Sequence, residues 1–128
     1  MSKREIPMMM KYWEKVGGTL IEEFPAVRQA NGNGPRRLDA VILPNGPKIK
    51  ASWRDVILKG QDVIVVQAKA NRRGMYLMGQ TLFSAELMQQ FEPASIRSVA
   101  LCAKDDSIMR PLLESFNGME VVVIEEMG

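Results

Sequence analysis

The chain contains no histidine and a single cysteine, Cys102, in 128 residues. Those two scarcities remove whole classes of chemistry. Without histidine there is no Ser-His-Asp or Cys-His nucleophile, no imidazole general base and no histidine-ligated zinc. With one thiol there is no internal disulfide and no thiolate zinc site. Any metal must therefore rest on oxygen ligands, which favours magnesium or manganese. A lone cysteine also fits a reducing compartment, and a cytoplasmic location is expected.

Long apolar runs are absent too. Runs such as Val63–Val66 and Val121–Ile124 are far too short to cross a bilayer, so no membrane partner is expected. The N-terminal residues Met1–Pro7 carry charge but lead into no apolar stretch with a cleavage site, and no secretion signal is expected. Charge of one sign is scarce as well. Seventeen basic and fifteen acidic residues leave a net charge of +2, too little to argue for nucleic-acid binding alone. Arg36, Arg37, Lys69, Arg72 and Arg73 do cluster in sequence around two strand-like segments, although from charge alone solvated loop charges are the favoured account.

What is present is the profile of an ordinary globular domain, 46% hydrophobic and 25% charged, and one domain over residues 1–128 is expected. Met8–Val16 reads as a helix, with Pro7 in its first turn and Gly17-Gly18 ending it. Thr19–Val27 reads as an extended edge strand because Pro25 interrupts it. The turn signal Asn31-Gly32-Asn33-Gly34-Pro35 then leads to a strand over Arg36–Leu43. Lys48–Lys59 mixes strand and helical-turn character. Asp62–Ala70 holds four consecutive apolar residues and suits a central strand covered on both faces. Met75–Phe91 is the clearest helix, Arg97–Ala103 a strand, Ile108–Phe116 a helix capped by Asp105-Asp106-Ser107, and Met119–Ile124 the last strand. The order predicts an α/β fold: a mixed sheet with helices on both faces, ending in parallel strand–helix–strand units.

Two of these strands carry polar residues that buried strands avoid. Asp39 lies in the first, and Gln67-Ala68-Lys69 ends the second. Metal-assisted phosphodiester hydrolysis needs oxygens to hold the cation, a donor to stabilise developing charge and a group to orient water. Asp39, the Gln67 side-chain carbonyl and the Ala68 backbone carbonyl are candidate metal ligands. Lys69, two residues from Gln67 and so on the same strand face, is a candidate to polarise the water. The alternative is a partly exposed strand end with an incidental ion pair.

Asp on one strand, Gln-x-Lys ending the next and the order helix, strands, helix, strand resemble the PD-(D/E)XK nuclease superfamily over about Met8 to Cys102. The Gln form is similar to that of Mrr-type restriction enzymes. The resemblance implies a restriction-endonuclease-like α-β-β-β-α-β core plus a C-terminal α-β unit. It implies metal-dependent cleavage of DNA, with RNA a further possible substrate, by Asp39 and Gln67 as metal ligands and Lys69 as catalytic lysine. It also implies a magnesium or manganese cofactor and a homodimer able to cut both strands of a duplex. Three departures stand out: Leu38 replaces the proline before Asp39, the spacing from Asp39 to Gln67 is long, and Gln67 removes one carboxylate. A non-catalytic relative that binds nucleic acid or protein is the alternative. The superfamily often adds a glutamate before the aspartate. Glu14, Glu22 and Glu23 are available. Glu22 and Glu23 should face opposite sides of a strand, so at most one lines the site. Glu23 is preferred because a Glu before Phe24-Pro25, followed by the Arg37-Leu38-Asp39 strand, resembles nuclease-like relatives. Tyr76, Gln80 and Ser84 recur every four residues along the main helix, and RecB-type nucleases use Gln and Tyr there in the opposite order. Tyr76 and Gln80, with Arg36, Arg37, Arg72 and Arg73, are candidate nucleic-acid contacts. The ten methionines read as core filler, and Trp13 and Trp53 as packing residues.

Overall fold

A computed structural model describes residues 1–27, 34–71 and 74–125. The Asn31–Asn33 part of the expected turn and both Arg72 and Arg73 lie outside the described residues. The fold is α/β. Helix α1 (Glu5–Val16) precedes strands β1 (Thr19–Val27), β2 (Arg36–Leu43) and β3 (Asp62–Lys69); helix α2 (Gly74–Met88), strand β4 (Ser95–Cys102), helix α3 (Met109–Glu114) and strand β5 (Met119–Val123) follow. The five strands form one sheet in sequential order, antiparallel from β1 to β3 and parallel from β3 to β5. Between β2 and β3, Lys50 makes a single bridge to Leu20, and Trp53–Asp55 form a 3-10 turn, which realises the mixed character of Lys48–Lys59.

Two right-handed crossovers that advance in the same direction place their helices on one face of the sheet. Accordingly α2 and α3 share a face, and α1 covers the other. Met8, Met9 and Tyr12 of α1 pack on Leu20, Ala40, Ile42, Ile64, Val66 and Leu101. On the opposite face Ile21, Val41, Leu43, Val63 and Val65 meet Met88 of α2, while Ala100, Cys102 and Val121 meet Leu77, Met78 and Leu113. The run Val63–Val66 thus feeds both cores, as four consecutive apolar residues on a central strand require.

Helix α1 starts three residues earlier than its apolar pattern indicates, at Glu5 rather than Met8. The reason is a capping box: Ser2 Oγ accepts the Glu5 N–H at 3.3 Å, and Glu5 Oε1 accepts the Ser2 N–H at 3.0 Å. At the other end Gly18, at φ 78°, lies so close to the Leu43 carbonyl that a Cβ there would collide with the backbone. That position needs glycine to turn α1 into β1.

Candidate functional site

The β2–β3 ladder pairs Ile42 with Ile64, Val41 with Val65 and Ala40 with Val66, and there it stops. Beyond that point the strands part, and side chains take over the backbone groups. The Asp39 N–H donates to Gln67 Oε1 at 3.3 Å, and the Ala68 N–H donates to Asp39 Oδ2 at 2.8 Å. Each residue satisfies a backbone donor of the opposite strand. A backbone N–H can only donate, so the Gln67 oxygen must face Asp39 and its amide nitrogen must face away. That nitrogen donates to Ser84 Oγ on α2 at 2.9 Å, and Ser84 in turn donates to the Gln80 carbonyl at 2.6 Å. Gln67 is 6% exposed and therefore ties β3 to both β2 and α2 from inside the fold.

The register that pairs Glu22 with Ala40 and Phe24 with Leu38 sets Glu23 opposite Asp39. Both strands skip a beat at this level. Leu20 joins the α1 face and Ile21 the α2 face, yet Phe24 also joins the α2 face; on β2, Leu38 and Val41 share the α2 face while Ala40 and Ile42 take the other. Strict alternation would forbid both patterns. Glu23 supplies the break with φ 51°, a left-handed conformation that costs a non-glycine residue energy and clusters at functional sites. The two glutamates consequently part company: Glu22 pairs with Lys50 at 3.2 Å, and Glu23 Oε1 meets the Met1 α-ammonium at 2.9 Å.

Charge converges on this spot. Burial pushes the Asp39 carboxyl above the ordinary aspartate value, as does the charge of Glu23, against the opposing pull of the Ala68 N–H, the Met1 ammonium and Lys69. Half-buried Lys69 also acts on Glu5 of α1. Burial raises the Glu5 carboxyl, but the N–H groups of Ser2 and Ala70, the Ser2 hydroxyl and the Lys69 charge together hold it below the usual glutamate range. Its Oε2 accepts the Ala70 N–H at 3.3 Å, so Glu5 clamps the chain immediately after Lys69. Glu5 escapes a reading based on apolar periodicity, although the Ser2-x-x-Glu5 spacing signals it. Glu14 is exposed on α1.

The other sequence candidates fall on one side of this fork. Arg36 and Arg37 are exposed at the start of β2, and Tyr76 is 60% exposed on α2. They border, with Gln80, a cavity that Gln67 and Ser84 also line. Ala68 is fully buried beneath α1 and presents its N–H to Asp39.

As a donor set the fork offers hard oxygens: the Asp39 and Glu23 carboxylates and one remaining lone pair on Gln67. Among the described residues no three His, Cys, Asp or Glu side chains form a metal-binding group. Two carboxylates with water and substrate oxygens match the habit of magnesium, which keeps much of its hydration. No protein-family model, curated protein or solved structure matches the chain. No helix among the described residues is long and apolar enough to cross a membrane.

Proposed function

We propose that the chain is a metal-dependent nuclease domain of restriction-endonuclease-like fold that hydrolyses phosphodiester bonds in DNA. The reading is carried by the reciprocal pair at the β2–β3 fork, where the Asp39 carboxylate rests on the N–H between Gln67 and Lys69 and faces Glu23. Asp39 and Glu23 would hold the divalent cation, magnesium or manganese, through carboxylate oxygens. That ion, when bound, polarises the scissile phosphate and lowers the pKa of a bound water. Lys69 orients the attacking water and stabilises the charge that builds on the phosphate oxygens. The water oxygen bonds to phosphorus, the opposite phosphorus–oxygen bond breaks, and the proton the water gives up passes through solvent to the departing oxygen. Gln67 acts as a positioning residue, because its amide fixes the Asp39 backbone and anchors it to α2. Arg36 and Arg37, exposed at the start of β2, meet the phosphate backbone.

The test is cleavage of single-stranded and duplex DNA in magnesium or manganese. Wild-type protein should cut, and Lys69→Ala should lose about 100-fold or more, the effect of removing one stabilising donor from an active site. Equal cutting by Lys69→Ala would overturn the assignment. A second reading is a nuclease-like fold that binds without cutting. It is favoured by the lack of a three-carboxylate group among the described residues and by the engagement of the Gln67 oxygen. Calorimetric titration with manganese separates the two: heat abolished by Asp39→Ala supports the enzyme, and no heat supports the binding module.

A further inference from the structure

Helix α2 is apolar nearly all round, with Glu86 its one charged residue. Such a helix is normally buried on every side. Here Met75 is 78% exposed, Tyr76 60% and Phe83 71%. They border a cavity of about 640 Å³ that Arg36 and Arg37 close on the β2 side. Tyr76 and Phe83 are seven residues apart, two helical turns, and so share one face of α2. Between them lies Gly79, where an added Cβ would meet nothing within 4 Å. Glycine inside a helix costs stability relative to alanine, and here it keeps the cavity floor low. Gln80 lines the same cavity, and its Oε1 is buried with no hydrogen-bond partner among the described residues. A buried acceptor without a donor calls for a specific explanation.

We infer that this cavity receives an unpaired base of a single DNA strand, next to the proposed cleavage site. The inference rests on the nuclease reading and names its substrate class. Tyr76 and Phe83 supply π-faces on which bases stack with little regard for sequence. Every base carries an N–H donor on its Watson–Crick edge, and a rotation of the Gln80 end group presents Oε1 to it. Arg36 and Arg37 outweigh the single carboxylate of Glu86, so the rim is complementary to phosphate. The cavity adjoins the seam that holds Asp39, because Gln67, whose oxygen accepts the Asp39 N–H, lines it together with its partner Ser84. Duplex DNA hides its base faces by stacking and cannot use the cavity until a base is released. The substrate is therefore DNA with an unpaired segment at the cut.

The experiment compares anisotropy titrations of a short single-stranded oligonucleotide and of the blunt duplex of the same sequence. The full chain is used in EDTA, without divalent metal, so that metal-dependent cleavage does not interfere whichever way the Lys69→Ala test falls. The expected result is preference for the single strand, weakened roughly ten- to a hundredfold by Phe83→Ala or Tyr76→Ala. Gly79→Leu should abolish the preference while melting at or above the parent temperature, since leucine is the better helix former. A strand with abasic sites should bind like the duplex. Unchanged single-strand binding in all three variants overturns the cavity assignment and leaves the nuclease reading standing. Loss of the cleavage assignment by the earlier test leaves these titrations readable. A sedimenting dimer that Phe83→Ala dissociates also overturns the inference, because a second copy then covers the face.

Discussion

The β2–β3 pair has a closed half and a forked half, and they are immediate neighbours along both strands. In the closed half Ile42, Val41 and Ala40 face Ile64, Val65 and Val66, every one of them no more than 4% exposed. In the forked half the same strands trade ladder bonds for the side chains of Asp39 and Gln67. The closed half is held by apolar burial and is tolerant of chemistry only in the sense that it excludes it. The forked half keeps a carboxylate partly desolvated, next to a left-handed glutamate, and both features cost stability in a way the closed half does not. The contrast teaches that the rigid half is what makes the fork affordable: its packing fixes the level at which the ladder ends, and so fixes where Asp39 must point.

The strongest way to break the comparison is to weaken the closed half. Ile42→Ala removes a fully buried side chain from the α1 face and should cost about 2–5 kcal/mol in a urea titration. Specific cleavage by the folded fraction should stay near wild type. A large loss of activity in folded protein would mean that the two halves are not separable. Next in size is the seam itself. Gln67→Leu keeps the volume but strands the Asp39 N–H and removes a donor to Ser84 in a buried setting. Destabilisation of about 1–3 kcal/mol is expected. Because the Asp39 backbone then loses its tether, cleavage should fall as well, which is the opposite signature to Ile42→Ala. Unaltered stability in Gln67→Leu would show that the amide does not hold the fork together.

The element order, the edge position of β1, the doubly covered β3 and the caps of α3 were legible because each follows from a local signal. The run Val63–Val66 demanded two cores, and Asp106 does accept the N–H groups of Ile108 and Met109 at the start of α3. Whether Asp39 meets the Gln67–Lys69 segment was open in the sequence; the hydrogen bonds of Asp39 to Gln67 and Ala68 answer it. The skip in side-chain alternation at Glu23 and Asp39 was not legible. A strict two-residue period separates Glu22 from Glu23 by face, and only the φ of 51° shows how the chain departs from it. Glu5 was lost for a different reason: apolar periodicity locates helix faces and is blind to a polar cap one turn upstream. The orphaned Gln80 oxygen depends on the packing of α2 against the sheet, which no local pattern encodes.

The smallest effect sharpens the comparison most, because it separates function from stability at one atom. Asp39→Asn keeps an oxygen for the Ala68 N–H and removes the charge that burial disfavours. The folded-state pKa of Asp39 is raised, so its contribution to stability is fully present below the unfolded value and is lost as pH rises through the folded value. At neutral pH the ionised group is therefore a net cost, and Asp39→Asn should be more stable than wild type by about 0.5–1 kcal/mol, the usual yield of relieving one such conflict. The gain should shrink as pH falls toward the ordinary aspartate value and vanish below it. Glu5 runs the other way, since its lowered pKa gives stability that is lost on acidification, but it is common to both proteins and cancels in the difference. Paired urea titrations across that pH range provide the measurement, with cleavage assayed on the same samples. A stabilised, inactive Asp39→Asn identifies a carboxylate retained for chemistry. A destabilised variant would mean instead that the ionised group serves the fold, through Lys69 and the neighbouring N–H groups, and that the forked half is built on the same terms as the closed one.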